Sequence, residues 1–281
     1  MNSKLKGILR LMTRLGCHLL SSNITNKCRR RSCLVFSPHP DDETLGCGGT
    51  IIKKRQSATP VKVVFMADGR SSHQSSKLRP DELAERREAE AREAGQILGL
   101  NKEDICFLRY PDRGLFRYQV QAKERVVEII EDFQPEEIFV PYAKEAHTDH
   151  LMTRQIVLEA INEVGCSPRI YEYPIWYWTY WPWNTPKPLA FNSSGVLKRR
   201  ITAFRRGLIT LTDPILELFL PRCAVEVGDV LKIKREALSK YKTQMTRVFD
   251  EPSWATLDGE WLKNFFFRYE LFFTQPIGRS Q

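Results

Sequence analysis

Short apolar runs alternate with longer amphipathic stretches through residues 33–173. Each run has the length of a buried strand, and each stretch has apolar residues at helical spacing. The predicted strands are Cys33–Ser37, Val61–Ala67, Ile105–Arg109, Glu137–Pro141 and Arg169–Tyr173. The predicted helices are Thr44–Gln56, Asp81–Leu98, Gln121–Phe133 and His150–Val164. This alternation is typical of βαβ units, so we predict a Rossmann-like, doubly wound α/β fold with a mainly parallel sheet and helices on both faces.

The pattern breaks after this region, where several tryptophans and prolines lie close together in the chain. We predict an insertion at about 174–213 that packs as core or cap, with sugar stacking or a lipid interface as the alternatives. Helical spacing returns at Asp229–Gln244, and the aromatic stretch Phe265–Phe273 is expected to form a last helix or strand. The predicted organisation is a single α/β domain at 33–281 that contains this insertion.

The first 32 residues have a different pattern, with leucines at helical spacing and basic residues on the other faces. This pattern predicts a basic amphipathic leader at 1–32, which either packs on the domain or lies on an anionic membrane surface. No apolar run approaches the roughly 20 residues of a membrane span. The seven cysteines show no paired spacing, as expected of reduced thiols. We therefore expect a cytoplasmic protein, with membrane association through the leader as the alternative.

The net charge of +9 is concentrated near the N-terminus and at residues 198–206. A basic surface attracts phosphate, so the charge favours a phosphorylated, nucleotide-linked or lipid-linked substrate, or peripheral contact with an anionic membrane. We predict no specific nucleic acid partner, and the pattern does not indicate an oligomeric state.

Side chains that can bind a metal follow the first predicted strand. The loop Pro38-His39-Pro40-Asp41-Asp42-Glu43 begins where this strand ends. In open α/β sheets, ligands bind at the carboxyl ends of the strands. Imidazole and carboxylate together suit zinc or iron(II), although two ligands do not complete a site.

A second group of such residues, His147-Thr148-Asp149-His150, follows the fourth predicted strand. Because parallel strands bring their carboxyl ends to one edge of the sheet, this group can meet the first loop in space. The spacing allows either His147 or His150 as a third ligand. The sequence therefore predicts a metal centre at this edge.

The two motifs together resemble those of the PIG-L/LmbE-like zinc-dependent N-acetylglucosaminyl de-N-acetylases. The resemblance covers about 33–173 and 229–248. Four further segments are similar to family motifs, namely Met66-Ala67-Asp68-Gly69, Arg87-Glu88-Ala89-Glu90, Pro111-Asp112-Arg113-Gly114-Leu115 and Ala237-Leu238-Ser239-Lys240-Tyr241-Lys242-Thr243-Gln244. Ala67 stands where the family frequently has threonine.

The resemblance implies a metal centre and a catalytic base. His39, Asp42 and His150 would hold Zn²⁺, with Fe²⁺ as the alternative, and Asp41 would be the general base. Three protein ligands leave room on the metal for water and for the amide oxygen.

The resemblance also implies roles around the metal. His147 would stabilise the oxyanion or protonate the leaving amine, and Asp149 would orient it. Arg87 and Asp112 match family positions that contact sugar hydroxyls.

The implied function is a zinc-dependent hydrolase that removes the N-acetyl group from an N-acetylglucosamine-type sugar or sugar conjugate by means of metal-activated water. An amidase for a thiol-sugar or another small amide conjugate is the alternative within enzymes. Outside enzymes, the alternative is an inactive scaffold that acts as a basic membrane-binding or nucleic-acid-binding module.

Overall fold

The computed structural model describes residues 16, 18–73, 75–180, 222–248, 251, 254–257 and 259–274. The described residues form a central sheet of eight strands with helices on both faces. The amphipathic pattern of 1–15, the basic cluster at 198–206 and most of the predicted insertion lie outside the described residues.

The sheet contains the five strands predicted from the sequence and three more. The strands are β1 (Ser22–Asn23), β2 (Cys33–Ser37), β3 (Val61–Ala67), β4 (Ile105–Tyr110), β5 (Glu137–Pro141), β6 (Arg169–Tyr173), β7 (Arg222–Glu226) and β8 (Tyr269–Thr274). Their spatial order is β1-β7-β8-β6-β5-β2-β3-β4. Only β8 runs antiparallel to its neighbours among the described strands. The predicted α/β class with a mainly parallel sheet is confirmed.

The helices cover the sheet in two layers. They are α1 (Thr25–Cys28), α2 (Asp42–Gln56), α3 (Pro80–Ile97), α4 (Gln119–Phe133), α5 (Thr148–Val164), α6 (Tyr177–Tyr180), α7 (Leu231–Leu238), α8 (Lys242–Met245) and α9 (Gly259–Leu262). Helices α2, α3 and α7 pack together on one face, and α4 and α5 pack on the other.

Both faces of the central strands are buried, because side chains alternate across a strand. In β2, Cys33 and Val35 join the core under α2, whereas Leu34 and Phe36 join the core under α4 and α5. A parallel strand covered on both sides therefore reads as a continuous apolar run. This burial is why the sequence pattern predicted the start of each central strand correctly.

The C-terminal segment differs from its prediction. The helix predicted at Asp229–Gln244 is divided, because α7 ends at Leu238 and the chain turns before α8 begins at Lys242. This turn allows the buried Tyr241 side chain to donate to Glu43 in the loop after β2. The stretch Phe265–Phe273 forms a short 3₁₀ turn and then the strand β8, which lies between β6 and β7.

Part of the predicted leader belongs to the sheet. Ser22 and Asn23 pair in parallel with Cys223 and Ala224, and the Cys28 side chain is buried in the core. The six described cysteines are free. None of the described helices combines the length and apolar composition that crossing a membrane requires. The division of the chain into a leader and one domain stays a prediction.

Candidate metal centre

Three loops meet at the carboxyl ends of the parallel strands. The loop after β2 and the first residue of α2 supply residues 39–42, the loop after β4 supplies Asp112, and the loop after β5 with the first turn of α5 supplies residues 145–150. The structure therefore brings together the two motifs predicted to meet at this edge.

Asp42 lies between two of the histidines. Its Oδ2 atom is 3.3 Å from His39 Nδ1 and 3.2 Å from His150 Nε2. Zinc bonds of about 2.1 Å in a tetrahedral site would separate neighbouring ligand atoms by roughly 3.4 Å. His150 is fully buried, and neither ring nitrogen makes a well-aligned hydrogen bond within the described part of the chain. These buried donor atoms fit a metal ion.

The described residues also offer two other ligand sets. The ligand atoms of His39, His147 and His150 lie within 4.8 Å of one another, and so do those of His39, Asp112 and Asp149. Asp42 belongs to neither set, although its oxygen is closer to two imidazole nitrogens than this limit. We favour the set with Asp42 because one carboxylate oxygen in contact with both rings gives the ligand spacing of a single ion. The ligand assignment remains a prediction.

The outward nitrogens of the two candidate ligand histidines also face carboxylates. Glu145 Oε2 lies 3.3 Å from His150 Nδ1, and His39 Nε2 lies 3.1 Å from Asp112 Oδ1 and 3.3 Å from Asp149 Oδ2. Metal-binding histidines usually direct their second nitrogen to such a partner, which fixes the ring. Glu145 was not predicted, although an acid in the same loop as His147 was visible in the sequence.

The charges at this centre shift its pKa values in a consistent way. Burial alone would lower the pKa of His150, but Asp42 and Glu145 raise it to about 9. Burial likewise opposes ionisation of Asp42, but His150 and His39 hold the pKa of that carboxyl well below its usual range. Asp42 is therefore ionised, as a metal ligand must be.

Asp41 precedes Asp42 in the chain and lines the same cleft. Asp42, in contrast, has an oxygen within 3.3 Å of both His39 and His150. Burial is the largest cause that raises the pKa of Asp41 to about 8, Arg87 opposes it, and the neighbouring carboxylates of Asp42 and Glu43 add to it. Arg87 Nη2 lies 3.3 Å from Asp41 Oδ2. A carboxylate whose pKa lies near neutrality suits general base catalysis.

Arg87 and Asp112 hold the site in addition to lining its cleft. The buried Arg87 guanidinium donates to the carbonyl oxygens of Pro40 and Gly69. One Asp112 carboxylate oxygen faces His39, and the other accepts from the Ser71 amide. Their predicted contacts with sugar hydroxyls remain a prediction.

His147 is the N-cap of α5, and its hydrogen bonding determines which ring nitrogen carries the proton. Its Nδ1 accepts from the Asp149 amide at 3.2 Å, so the neutral ring carries its proton on Nε2. Burial, with His39 and His150, lowers the pKa of His147 to about 4. A neutral donor at neutral pH is therefore expected, which favours oxyanion stabilisation over delivery of a resident proton.

Asp149 contacts His147 through its backbone, and its role in orienting that ring stays a prediction. Its carboxylate contacts His39 Nε2 and accepts from the Arg113 amide at 2.6 Å, while only its backbone amide contacts His147. Asp149 thus positions His147 through the main chain and His39 through the side chain. The reason is that residue 149 lies inside the first turn of α5, where its amide points back to the residue at the N-cap.

Glu43 and Tyr241 are further residues that the sequence did not identify as part of the site. Glu43 Oε2 accepts from the Asp41 amide at 3.1 Å, and Glu43 Oε1 accepts from the Tyr241 hydroxyl at 2.5 Å. Both side chains are buried. Glu43 was visible in the motif, but the turn that brings Tyr241 to it was not.

The site opens into a cleft of about 260 Å³. Its polar lining includes His39, Asp41 and His147, and its apolar lining includes Trp176 and Trp261. This volume lies just below the range of about 300–1,000 Å³ that is usual for ligand pockets, which suits a small ligand or one end of a larger one.

A neighbouring cleft of about 350 Å³ is larger but contains none of the histidines. Arg70 and Arg109, which line it, are ion-paired with Asp68 and Glu88. The smaller cleft is therefore the candidate active site.

A comparison with protein families assigns this part of the chain. The family model described as PIG-L, GlcNAc-PI de-N-acetylase, matches residues 34–161. Residues 34–161 are a PIG-L domain. Every predicted site residue falls within this domain, and the aromatic lining of the cleft includes Trp176 and Trp261, which lie beyond it.

Two curated relatives are named as sugar deacetylases. The diacetylchitobiose deacetylase of Thermococcus kodakarensis is 30% identical over 138 residues, which are 48% of this chain and 51% of that protein. The 1D-myo-inositol 2-acetamido-2-deoxy-α-D-glucopyranoside deacetylase of Nocardia farcinica is 26% identical over 246 residues, which are 76% of this chain and 80% of that protein. The match thus spans about half the length of the first relative.

Solved structures share the fold of the PIG-L domain and its surroundings. The N,N′-diacetylchitobiose deacetylase of Pyrococcus horikoshii has a TM-score of 0.55 and 21% identity, covering 83% of this chain and 78% of its own. The 4-carboxy-2-hydroxymuconate hydratase of Pseudomonas putida has a TM-score of 0.56 and 15% identity, covering 89% of this chain and 99% of its own. Because these two names describe different reactions, the fold alone does not choose the chemistry.

Proposed function

We propose that this protein is a metal-dependent hydrolase that removes the acetyl group from the nitrogen of an N-acetylglucosamine-type sugar or sugar conjugate. The observation that carries the proposal is the position of Asp41, a buried carboxylate beside an Asp42 oxygen that contacts two imidazole nitrogens. The sequence relatives named as sugar deacetylases support this reaction over the hydration chemistry of the muconate enzyme.

His39, Asp42 and His150 would hold the metal, for which we propose zinc, with iron(II) as the alternative. Imidazole nitrogen and carboxylate oxygen are suitable ligands for both ions. When bound, such an ion polarises the amide carbonyl and lowers the pKa of a water molecule.

Asp41 takes the proton of the attacking water in this mechanism. Arg87 holds the Asp41 carboxylate in place, and the Glu43 carboxylate holds its backbone amide. The water oxygen forms a bond to the acetyl carbon, and the bond between that carbon and the sugar nitrogen then breaks. An amine leaves only when it is protonated, so protonated Asp41 returns the proton to the nitrogen.

His147 donates a hydrogen bond to the acetyl oxygen as negative charge develops there. Its Nδ1 is already occupied by the Asp149 amide, so Nε2–H is the donor. A neutral donor positioned in this way stabilises an oxyanion without a separate proton transfer. The products are acetate and a free amino sugar.

The names of the relatives support an acetamido sugar over the thiol-sugar amidase alternative. The complete set of ligand and base candidates supports an enzyme over an inactive binding module. Contact with an anionic membrane, and a phosphorylated, nucleotide-linked or lipid-linked conjugate as substrate, stay predictions that rest on charge.

The test is mass spectrometry of candidate substrates after incubation with purified protein, with and without a metal chelator. The panel contains N-acetylglucosamine, N,N′-diacetylchitobiose, N-acetylglucosaminyl inositol and a thiol-sugar amide. We expect loss of an acetyl group and release of acetate from at least one acetamido sugar, abolished by the chelator and restored by zinc or iron(II). Turnover of the thiol-sugar amide alone, or none of the panel, would overturn the proposed function.

A further inference from the structure

Part of the cleft wall is aromatic and lies outside the PIG-L domain. Trp176 and Trp261 line the cleft, and their rings are stacked with centroids 4.9 Å apart and an angle of 24° between the planes. Phe265 packs against Trp261 edge to face at 4.7 Å. Trp261 therefore supports one face of Trp176, and the rest of this half-buried ring is available to the cleft.

The Glu145 carboxylate connects this wall to the candidate metal centre. Its Oε2 accepts from the Trp176 amide at 2.9 Å and lies 3.3 Å from His150 Nδ1. Its Oε1 accepts from the Ile175 amide at 2.7 Å. Because Glu145 is almost fully buried, one carboxylate fixes the backbone of Trp176 and the ring of His150 together. The aromatic wall thus has a defined position relative to the reacting atoms.

Trp261 also carries a donor that the described part of the chain leaves without a partner. Its Nε1 atom is buried and makes no hydrogen bond to any described residue. An indole N–H usually finds an acceptor when buried, because leaving it unpaired is unfavourable. Since this atom is occluded, a ligand oxygen reaches it only when the Trp261 ring rotates toward the cleft.

We propose that Trp176 and Trp261 form a subsite for a pyranose ring. The apolar C–H face of the ring stacks on Trp176, and a rotation of the Trp261 ring that brings its occluded Nε1–H to the cleft lets a ring hydroxyl oxygen accept from it. A sugar matches both features, whereas a flat apolar group would stack but leave the indole donor unpaired. The assignment of this ring to the deacetylation substrate rests on the proposed function, but the binding itself does not require turnover.

Saturation-transfer NMR tests the subsite directly, with N,N′-diacetylchitobiose as the probe and EDTA present to suppress turnover. We expect transfer from the wild-type protein to the axial protons of one ring face. Trp176→Ala removes the stacking surface, and Trp261→Phe keeps a ring but removes the donor. For each we expect Kd to rise about 2- to 12-fold, the range given by one aromatic contact or one hydrogen bond of ordinary strength.

Trp178→Phe is the matched control. Trp178 is a buried tryptophan two residues from Trp176, and it does not line this cleft. We expect its Kd to equal that of the wild type. Trp176→Phe, which keeps a smaller aromatic face, should give an intermediate Kd and guards against misfolding of the alanine variant.

The outcomes separate this inference from the proposed function. Unchanged Kd and KM in Trp176→Ala, with sugar turnover by the wild type, would overturn the subsite and leave the deacetylase proposal standing. Ring binding that depends on Trp176 without any turnover would support the subsite and count against the deacetylase. Absence of saturation transfer from the wild-type protein would overturn the subsite.

Discussion

At the scale of single residues, Asp41 has the most demanding conformation at the site. Its φ of 127° is one that side chains other than glycine rarely adopt, and such a residue typically costs about 1–3 kcal/mol. Contacts from both sides hold it there, since Arg87 donates to the Pro40 carbonyl and Glu43 accepts from the Asp41 amide. The strain places the Asp41 and Asp42 carboxylates, which are adjacent in sequence, in different environments.

The pKa values of His150 and Asp41 predict how the stability of the metal-free protein changes with pH. The pKa of His150 is raised from 6.5 to about 9, and that of Asp41 from 3.8 to about 8. A group whose folded pKa is raised contributes stability at low pH that is lost as pH rises through the folded value. Each group therefore contributes less stability to the chelated protein at pH 8.5 than at pH 6, by about 2 kcal/mol per group.

Urea unfolding of chelator-treated protein at about pH 6 and pH 8.5 measures whether the free energy of unfolding falls as predicted. The fall in the free energy of unfolding should be smaller in His150→Ala, which lacks one of the two groups. It should also be smaller with zinc present, because the metal takes the place of the proton on His150. Equal or greater stability of the chelated wild type at the higher pH would contradict this assignment of charge.

At the scale of elements, burial decided what could be predicted. Strands β2, β3 and β5 have the predicted bounds because they are largely apolar runs between clear breaks, and β6 has them although it contains Arg169 and Glu172. The sequence did not reveal β1, which has only two residues, or β7. The turn before α8 could not be predicted either. The apolar residues on both sides of it pack into the same core, so their spacing in the sequence is that of one continuous helix.

A buried ion pair joins two of these elements. Lys54 Nζ in α2 lies 2.6 Å from Glu137 Oε2 in β5, and both side chains are fully buried. The same Nζ donates to the carbonyl oxygens of Cys28 and Arg31. We expect Lys54→Met to lower the free energy of unfolding by about 3–5 kcal/mol, because Glu137 loses its buried partner.

The neighbouring lysine provides the control for that experiment. Lys53 pairs with Asp229 at the surface, where the Asp229 side chain is 64% exposed. Lys53→Met should change the free energy of unfolding by no more than about 1 kcal/mol in the same urea titration. Similar effects of the two substitutions would mean that the buried pair does not stabilise the junction of α2 and β5.

At the scale of the whole molecule, topology explains both the success and the limit of the sequence predictions for the site. The loop with His39 and Asp42 and the segment with His147 and His150 both follow parallel strands, so their convergence could be predicted from the strand ends. The choice of His150 over His147 came from the family resemblance. Tyr241 and Trp261 come from the segment around the antiparallel strand β8, whose return into the sheet the pattern did not show. The contact of the Asp149 carboxylate with His39 could not be predicted, because it depends on α5 beginning at Thr148 and the predicted helix begins at His150.

The sheet also includes residues that the pattern assigned to the leader. Because β1 lies beside β7 at one edge and Lys54 binds the Cys28 carbonyl, residues 22–31 support the core. The candidate site lies instead at the carboxyl ends of the central strands. The N-terminal segment is thus linked to the stability of the domain, whereas the loops after β2, β4 and β5 are linked to its chemistry.

The central claim is that Asp41 is the base of a metal-dependent deacetylase. The most direct test compares acetate release by the wild type, Asp41→Asn and the exposed control Asp132→Asn on the same acetamido sugar, with bound metal quantified in each. We predict that Asp41→Asn binds metal stoichiometrically but falls at least about 100-fold in kcat, the scale of a lost general base, while Asp132→Asn equals the wild type. Acetate release by metal-loaded Asp41→Asn at the wild-type rate would contradict the claim.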